Sequence, residues 1–173
     1  EMVSLTGIVR DIKQTAVSVP FVRDRLPPKC RIVEYTSLRG KHRATVFKGT
    51  EALVVRIPKK GSSLGHFICL IPGRKSIEYF SSLGNSPWKE LEALHESRDI
   101  FENLLGKNFN YNQRQLQDGS NYSINDCAVW LLLRAYFRKY KLREFQKLFN
   151  TRVVLGDPDT LAATMVVALW QDR

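Results

Sequence analysis

The sequence is poor in the residues that build cross-links and metal centres. Among 173 residues there are three cysteines, Cys30, Cys69 and Cys127, and three histidines, His42, His66 and His95. An odd, widely spaced set of thiols makes neither a disulfide framework nor a zinc knuckle, so the expected setting is a reducing compartment. No stretch approaches the about 18 apolar residues of a membrane-spanning helix, so no membrane partner is expected. The opening Glu1-Met2-Val3-Ser4 lacks the basic flank and apolar run of a signal peptide. Internal repeats, Lys/Arg tracts and ribonucleoprotein-type aromatic patterns are also missing, which argues against a sequence-specific nucleic-acid reader. Aromatic residues are not scarce: 43% hydrophobic and 10% aromatic content excludes a disordered chain. The length suits one domain over residues 1–173, read as a monomer.

Charge is unbalanced. Lys and Arg total 27 against 17 Asp and Glu, a net +10, and residues 1–50 alone carry ten basic and four acidic side chains. Such a field favours polyanions through counterion release, so non-specific nucleic acid is a candidate partner. A basic surface with no dedicated partner is the alternative.

The hydrophobic pattern predicts a helix over residues 5–12 and short strands over 31–35 and 44–47. Buried strands are expected over 52–57, 66–71 and 77–80, the last two joined by a Pro72-Gly73 turn as a hairpin. One helical stripe runs from Leu91 to Leu105 and stops at Gly106. Residues 107–125 read as a long polar loop. Residues 127–137 are apolar nearly all round, a central buried helix announced by Ser123-Ile124-Asn125-Asp126. A basic helix over 142–149, a strand over 153–155 and a helix from Pro158 to Trp170 complete an α+β order, with a central mixed sheet flanked by helices.

Cys127 is the leading candidate for chemistry. It falls in the first turn of a helix, where free backbone N–H groups and the helix dipole stabilise a thiolate, behind a polar loop that would leave it reachable. A buried structural cysteine is the alternative. Cys69 reads as core, and nothing near Cys30 would activate it. A thiolate nucleophile needs a proton acceptor. His42 lies in a cationic stretch and His95 on an exposed helix face, whereas His66 opens an apolar strand after a Gly-rich turn.

The ordered set Gly65-His66-Phe67-Ile68-Cys69-Leu70-Ile71, a Pro-Gly turn, Ile77-Glu78-Tyr79-Phe80-Ser81-Ser82-Leu83-Gly84, a polar loop with Gln117, and Asp126-Cys127 resembles the adenovirus-type cysteine endopeptidases and their Ulp1 SUMO-protease relatives. The resemblance spans roughly residues 5–140 and lies in the chain order histidine, acid, glutamine, cysteine. It implies a papain-like, Ulp1-like fold with Cys127 as nucleophile, His66 as base, Gln117 as oxyanion donor, and Gly65, Phe67 and Asp126 at the substrate, Phe67 narrowing the cleft. It implies no metal or organic cofactor, a polypeptide substrate cut beside a small residue, and, in the viral branch, DNA or a peptide as activator in a host cytoplasm, nucleus or virion.

Three departures bear on activity. The position matching the family acid is Ser81, which can orient an imidazole but cannot stabilise imidazolium with charge. Glu78 is the nearest carboxylate, but strand alternation turns it away from the face of Tyr79 and Ser81. The spacing from Gln117 to Cys127 is long, leaving Gln115 and Gln113 as rival oxyanion donors, and Ala128 follows the cysteine where the family usually has Gly. The leading expectation is an endopeptidase that trims precursor proteins of a virus or virus-like element. The alternatives are a deSUMOylating or deubiquitinating protease and a catalytically impaired binding module of the same fold. On the catalytic reading, Ser81→Asp should raise activity or leave it intact.

Overall fold

The computed structural model describes residues 18–61, 65–116, 124–149 and 158–171. The predicted 5–12 helix and 153–155 strand lie outside them. Five strands form one mixed sheet in the order β1 (Cys30–Glu34), β2 (Ala52–Pro58), β3 (Gly65–Pro72), β4 (Ile77–Phe80) and β5 (Phe109–Tyr111). The outer pairs β1–β2 and β4–β5 are parallel, and the inner pairs β2–β3 and β3–β4 antiparallel. Around the strands run α1 (Val19–Arg23), α2 (Arg43–Val46), α3 (Pro87–Ala93), α4 (Asp99–Leu105), α5 (Ile124–Tyr136), α6 (Leu142–Lys147) and α7 (Pro158–Gln171). This is the α+β class expected, a mixed sheet with helices on both sides.

Alternation along the strands divides the core into two layers. Val54, Phe67, Cys69 and Phe80 point to one face and pack with α5, α6 and α7. Leu53, Val55, Ile57, Ile68, Leu70, Ile77 and Tyr79 point to the other and pack with Leu91 of α3 and Ile100, Phe101, Leu104 and Leu105 of α4. Every residue from Cys127 to Leu133 is buried, because α5 lies between the sheet and α7, and burial of each large side chain stabilises by about 1.5–3 kcal/mol. The indole N–H of Trp130 donates to Asp159 Oδ1 at 2.7 Å, tying α5 to α7 through two buried groups.

Three expectations about elements are corrected. Residues 44–47 are not a strand: His42 caps the short helix α2, its Nδ1 accepting from the Ala44 N–H at 3.2 Å. The single stripe from Leu91 to Leu105 is two helices. His95 takes φ 56°, and the His95 N–H to Glu92 and Glu96 N–H to Leu91 carbonyl bonds make a Schellman stop. A histidine in the left-handed position usually held by Gly or Asn gives no sequence warning of that end. The expected 107–125 loop contains β5, whose Phe109 packs edge-on against Trp88 of α3 with ring centroids 5.8 Å apart.

Candidate active site

His66 stands second in β3, on the sheet face that carries Tyr79 and, past the end of β4, Ser81. Its Nε2 lies 3.2 Å from Glu90 Oε1 and 3.3 Å from Ser81 Oγ. The ring also hydrogen-bonds the Cys127 side chain, which comes from α5 in the opposite layer. One imidazole thus joins a thiol to a buried acid.

That acid is Glu90, which the sequence reading missed. It is the fourth residue of α3 and 3% exposed. Ser86 caps the helix by accepting the Lys89 N–H, Pro87 occupies the first turn, and Pro87, Glu90 and Leu91 form its buried face. Three donors converge on the Glu90 carboxylate. Oε1 takes the His66 N–H and the Ser81 hydroxyl, and Oε2 takes the Tyr79 hydroxyl at 2.5 Å. The signal available beforehand was spacing: positions 87, 90, 91 and 94 follow i, i+3, i+4, i+7, so a carboxylate stood on the apolar stripe.

The electrostatics follow from these contacts. Burial of the His66 ring works against its charged form, but the Glu90 carboxylate and the bonds to Cys127 and Glu90 outweigh it, and the pKa is pushed up to about 10. His66 therefore holds its proton at neutral pH. Burial, then the Glu90 charge, drive the Tyr79 phenol well above its ordinary range, keeping it a donor.

Ser81 is fully buried and touches His66, as an orienter would, but its hydroxyl hydrogen goes to Glu90 and its oxygen also accepts the Leu83 N–H at 3.3 Å. Asn112 grips the Ser81 backbone on both sides, accepting its N–H at 2.9 Å and donating to its carbonyl at 2.5 Å. The same amide reaches the Arg114 carbonyl at 3.1 Å, and the Leu116 N–H donates to Ser82 at 2.8 Å. The chain running toward residue 117 is thereby fixed to the end of β4. Glu78 faces the α5 layer and pairs with Arg134, Nε to Oε2 at 2.8 Å.

Other expected site residues are placed differently. Cys127 is the fourth residue of α5 and only 3% exposed, so the thiol is nearly enclosed rather than open to solvent. Phe67 is 2% exposed and packs in the core cluster that includes Cys127, so it presents no face to a cleft; it supports the α5 layer instead. Gly65 is half-buried and pairs with Pro58; a Cβ there would stand 2.8 Å from the Ile57 carbonyl oxygen, so the close approach of β2 explains the glycine. Gln117 and the Asp126 side chain lie outside the described residues, while Gln113 and Gln115 are exposed. Among the described residues no cluster of His, Cys, Asp and Glu could hold a metal ion, and no helix is long and apolar enough to cross a membrane.

No protein-family model and no curated protein matches the chain. Among solved structures it is similar to the SUMO protease Ulp1 with its catalytic cysteine oxidized to a sulfinic acid, at 12% identity and TM-score 0.41 over 93% of this chain and 82% of that one. It is also similar to the C-terminal Ulp1 protease domain in complex with Smt3, the yeast ortholog of SUMO, at 13% identity and TM-score 0.39 over 93% and 81% of the two chains. These are distant likenesses, and the chemistry of the site rests on its own geometry.

Proposed function

We propose that the chain is a thiol peptidase in which Cys127 is the nucleophile and His66 the proton carrier. The observation that carries this reading is the imidazole engaged at once by the Cys127 side chain and a buried carboxylate. The pair reacts as Cys127 thiolate and His66 imidazolium, the proton already on the ring, and Sγ attacks the scissile carbonyl, forming an S–C bond and an oxyanion. Backbone N–H groups at the start of α5 and a glutamine among Gln113, Gln115 and Gln117 are the candidate donors to that oxyanion. Collapse breaks the C–N bond, and the amine leaves with the proton held by His66. Water, deprotonated by His66, then cleaves the thioester, releasing the acid and restoring the thiolate–imidazolium pair.

The substrate is a polypeptide, in the finer reading a precursor protein of a virus or virus-like element; the order of His66, Gln117 and Cys127 along the chain supports it. The net charge of +10 supports a polyanion activator, for which a steep loss of DNA binding with added salt is the expected sign. The binding-module alternative drew its force from the serine at the acid position, and a carboxylate on His66 removes that reason.

The test is cleavage of a peptide library and of ubiquitin-like fusions by the wild-type chain, Cys127→Ala and His66→Ala. Thiol-dependent cleavage abolished in both variants is the expected result. Cleavage confined to the fusions would move the substrate to ubiquitin-like conjugates. No cleavage of either by the wild-type chain would refute the peptidase.

A further inference from the structure

We infer that the acid partner of His66 has moved from the strand end to the neighbouring helix: Glu90 of α3 is the positioning acid, and Ser81 and Tyr79 are the hydroxyls that hold it. The inference rests on the peptidase reading and says how the chain works with a serine where a strand-end acid is expected. Glu90 Oε1 approaches Nε2 at 3.2 Å, closer than Ser81 Oγ at 3.3 Å, and only the carboxylate brings charge. Its arm is long enough to reach from a helix because the strand-end side chain is short, and the Ser81 hydroxyl fills the gap by donating to the same oxygen. Tyr79 fixes the other oxygen, so both carboxylate oxygens are held and the carboxylate plane is set toward the ring.

The groups that meet His66 come from three elements: Glu90 from α3, Ser81 following β4, and Cys127 from α5. Glu90 acts only through the imidazole. It holds the ring through Nε2, and it stabilises imidazolium while the thiolate attacks. Ser81 and Glu90 together occupy the place of one acid, so the charge should be transferable between them. A carboxylate at position 81 would reach the same nitrogen, provided Glu90 gives up its own charge.

The experiment compares wild type, Glu90→Gln, Glu90→Asp and the double exchange Ser81→Asp/Glu90→Gln, each first checked for folding by thermal melting. Two readouts are taken against pH: peptide cleavage and the rate of Cys127 alkylation by iodoacetamide. Glu90→Gln, isosteric but neutral, should lower turnover about a hundredfold or more. It should also move the alkaline limit of cleavage down by about 1–3 pH units and the onset of alkylation to higher pH. Glu90→Asp keeps the charge on a shorter arm and should lose less than Glu90→Gln, and the double exchange should recover most of the loss and the wild-type alkaline limit. The inference is overturned if Glu90→Gln keeps the wild-type rate and profile, or if the folded double exchange is no better than Glu90→Gln. Absence of cleavage by the wild type would remove the peptidase reading alone, since the alkylation profiles would still report whether the Glu90 charge acts on His66.

Discussion

Removing the carboxylate of Glu78 should strand a charge in the interior. Arg134 is 1% exposed and Glu78 12%. The guanidinium makes four hydrogen bonds: Nε to Glu78 Oε2 at 2.8 Å, Nη2 to Glu78 Oε1 at 3.0 Å, Nη1 to the Phe137 carbonyl at 2.7 Å and Nη2 to the Tyr140 carbonyl at 3.0 Å. Its carbon also sits 5.1 Å from the Phe145 ring centroid. Two of those bonds, and all of the neutralising charge among them, come from Glu78. The Phe137 and Tyr140 carbonyls stay behind but carry no formal charge, so Glu78→Ala should cost about 3–5 kcal/mol, the range for breaking one side of a buried pair. For a domain of this size that lowers Tm by about 6–20 °C. Glu78→Gln keeps the volume and one acceptor and should fall between Ala and wild type. Thermal and urea unfolding followed by circular dichroism measure it. The double variant Glu78→Leu/Arg134→Met, which removes both charges and keeps the volume, should melt close to wild type. A Glu78→Ala protein that melts with the wild type would refute the claim that this pair joins α5 to β4.

Ser81→Asp alone, which the sequence would have as harmless or activating, should instead destabilise, because a second carboxylate beside Glu90 in a buried pocket must either repel it or take up a proton. Its Tm deficit against wild type should grow as pH rises and shrink when Glu90→Gln is added; a pH-independent deficit would count against the contact. Gly84→Ala should cost about 1–3 kcal/mol, since Gly84 has φ +69° and a Cβ there would stand 2.4 Å from the Arg114 carbonyl carbon. A wild-type melting curve would contradict that packing. His66 holds its proton to about pH 10 when folded, above its ordinary value in the unfolded chain, so the folded state binds more protons in between. Its stabilisation is full below the ordinary histidine range and is lost as pH climbs toward about 10. The unfolding free-energy difference between wild type and His66→Gln should therefore shrink over that window; a difference that grows would reverse the sign of the argument.

The strands were legible because β-branched and aromatic runs such as Ala52–Pro58 and Gly65–Pro72 are bounded by turns, and α5 was legible because few apolar stretches of its length have any other home. The break after Leu94 was hidden by a histidine doing the work of glycine, and β5 by a three-residue length with asparagine at its centre. Strand alternation placed Glu78 on the face away from Ser81, where it meets Arg134. At the site, chain order points to the pairing of His66 with Cys127, but nothing at the strand end points to Glu90 on the neighbouring helix. A charged residue next to Leu91 passes for a solvated position until a buried histidine and two hydroxyls converge on it.

The most direct measurement of the central claim is the NMR titration of the His66 ring in wild type and in Cys127→Ala. Contact with both the thiol and Glu90 predicts that the ring stays protonated to about pH 10 in wild type and titrates at lower pH once the sulfur is gone. A ring that titrates as an ordinary histidine, at the same pH in both proteins, would contradict it.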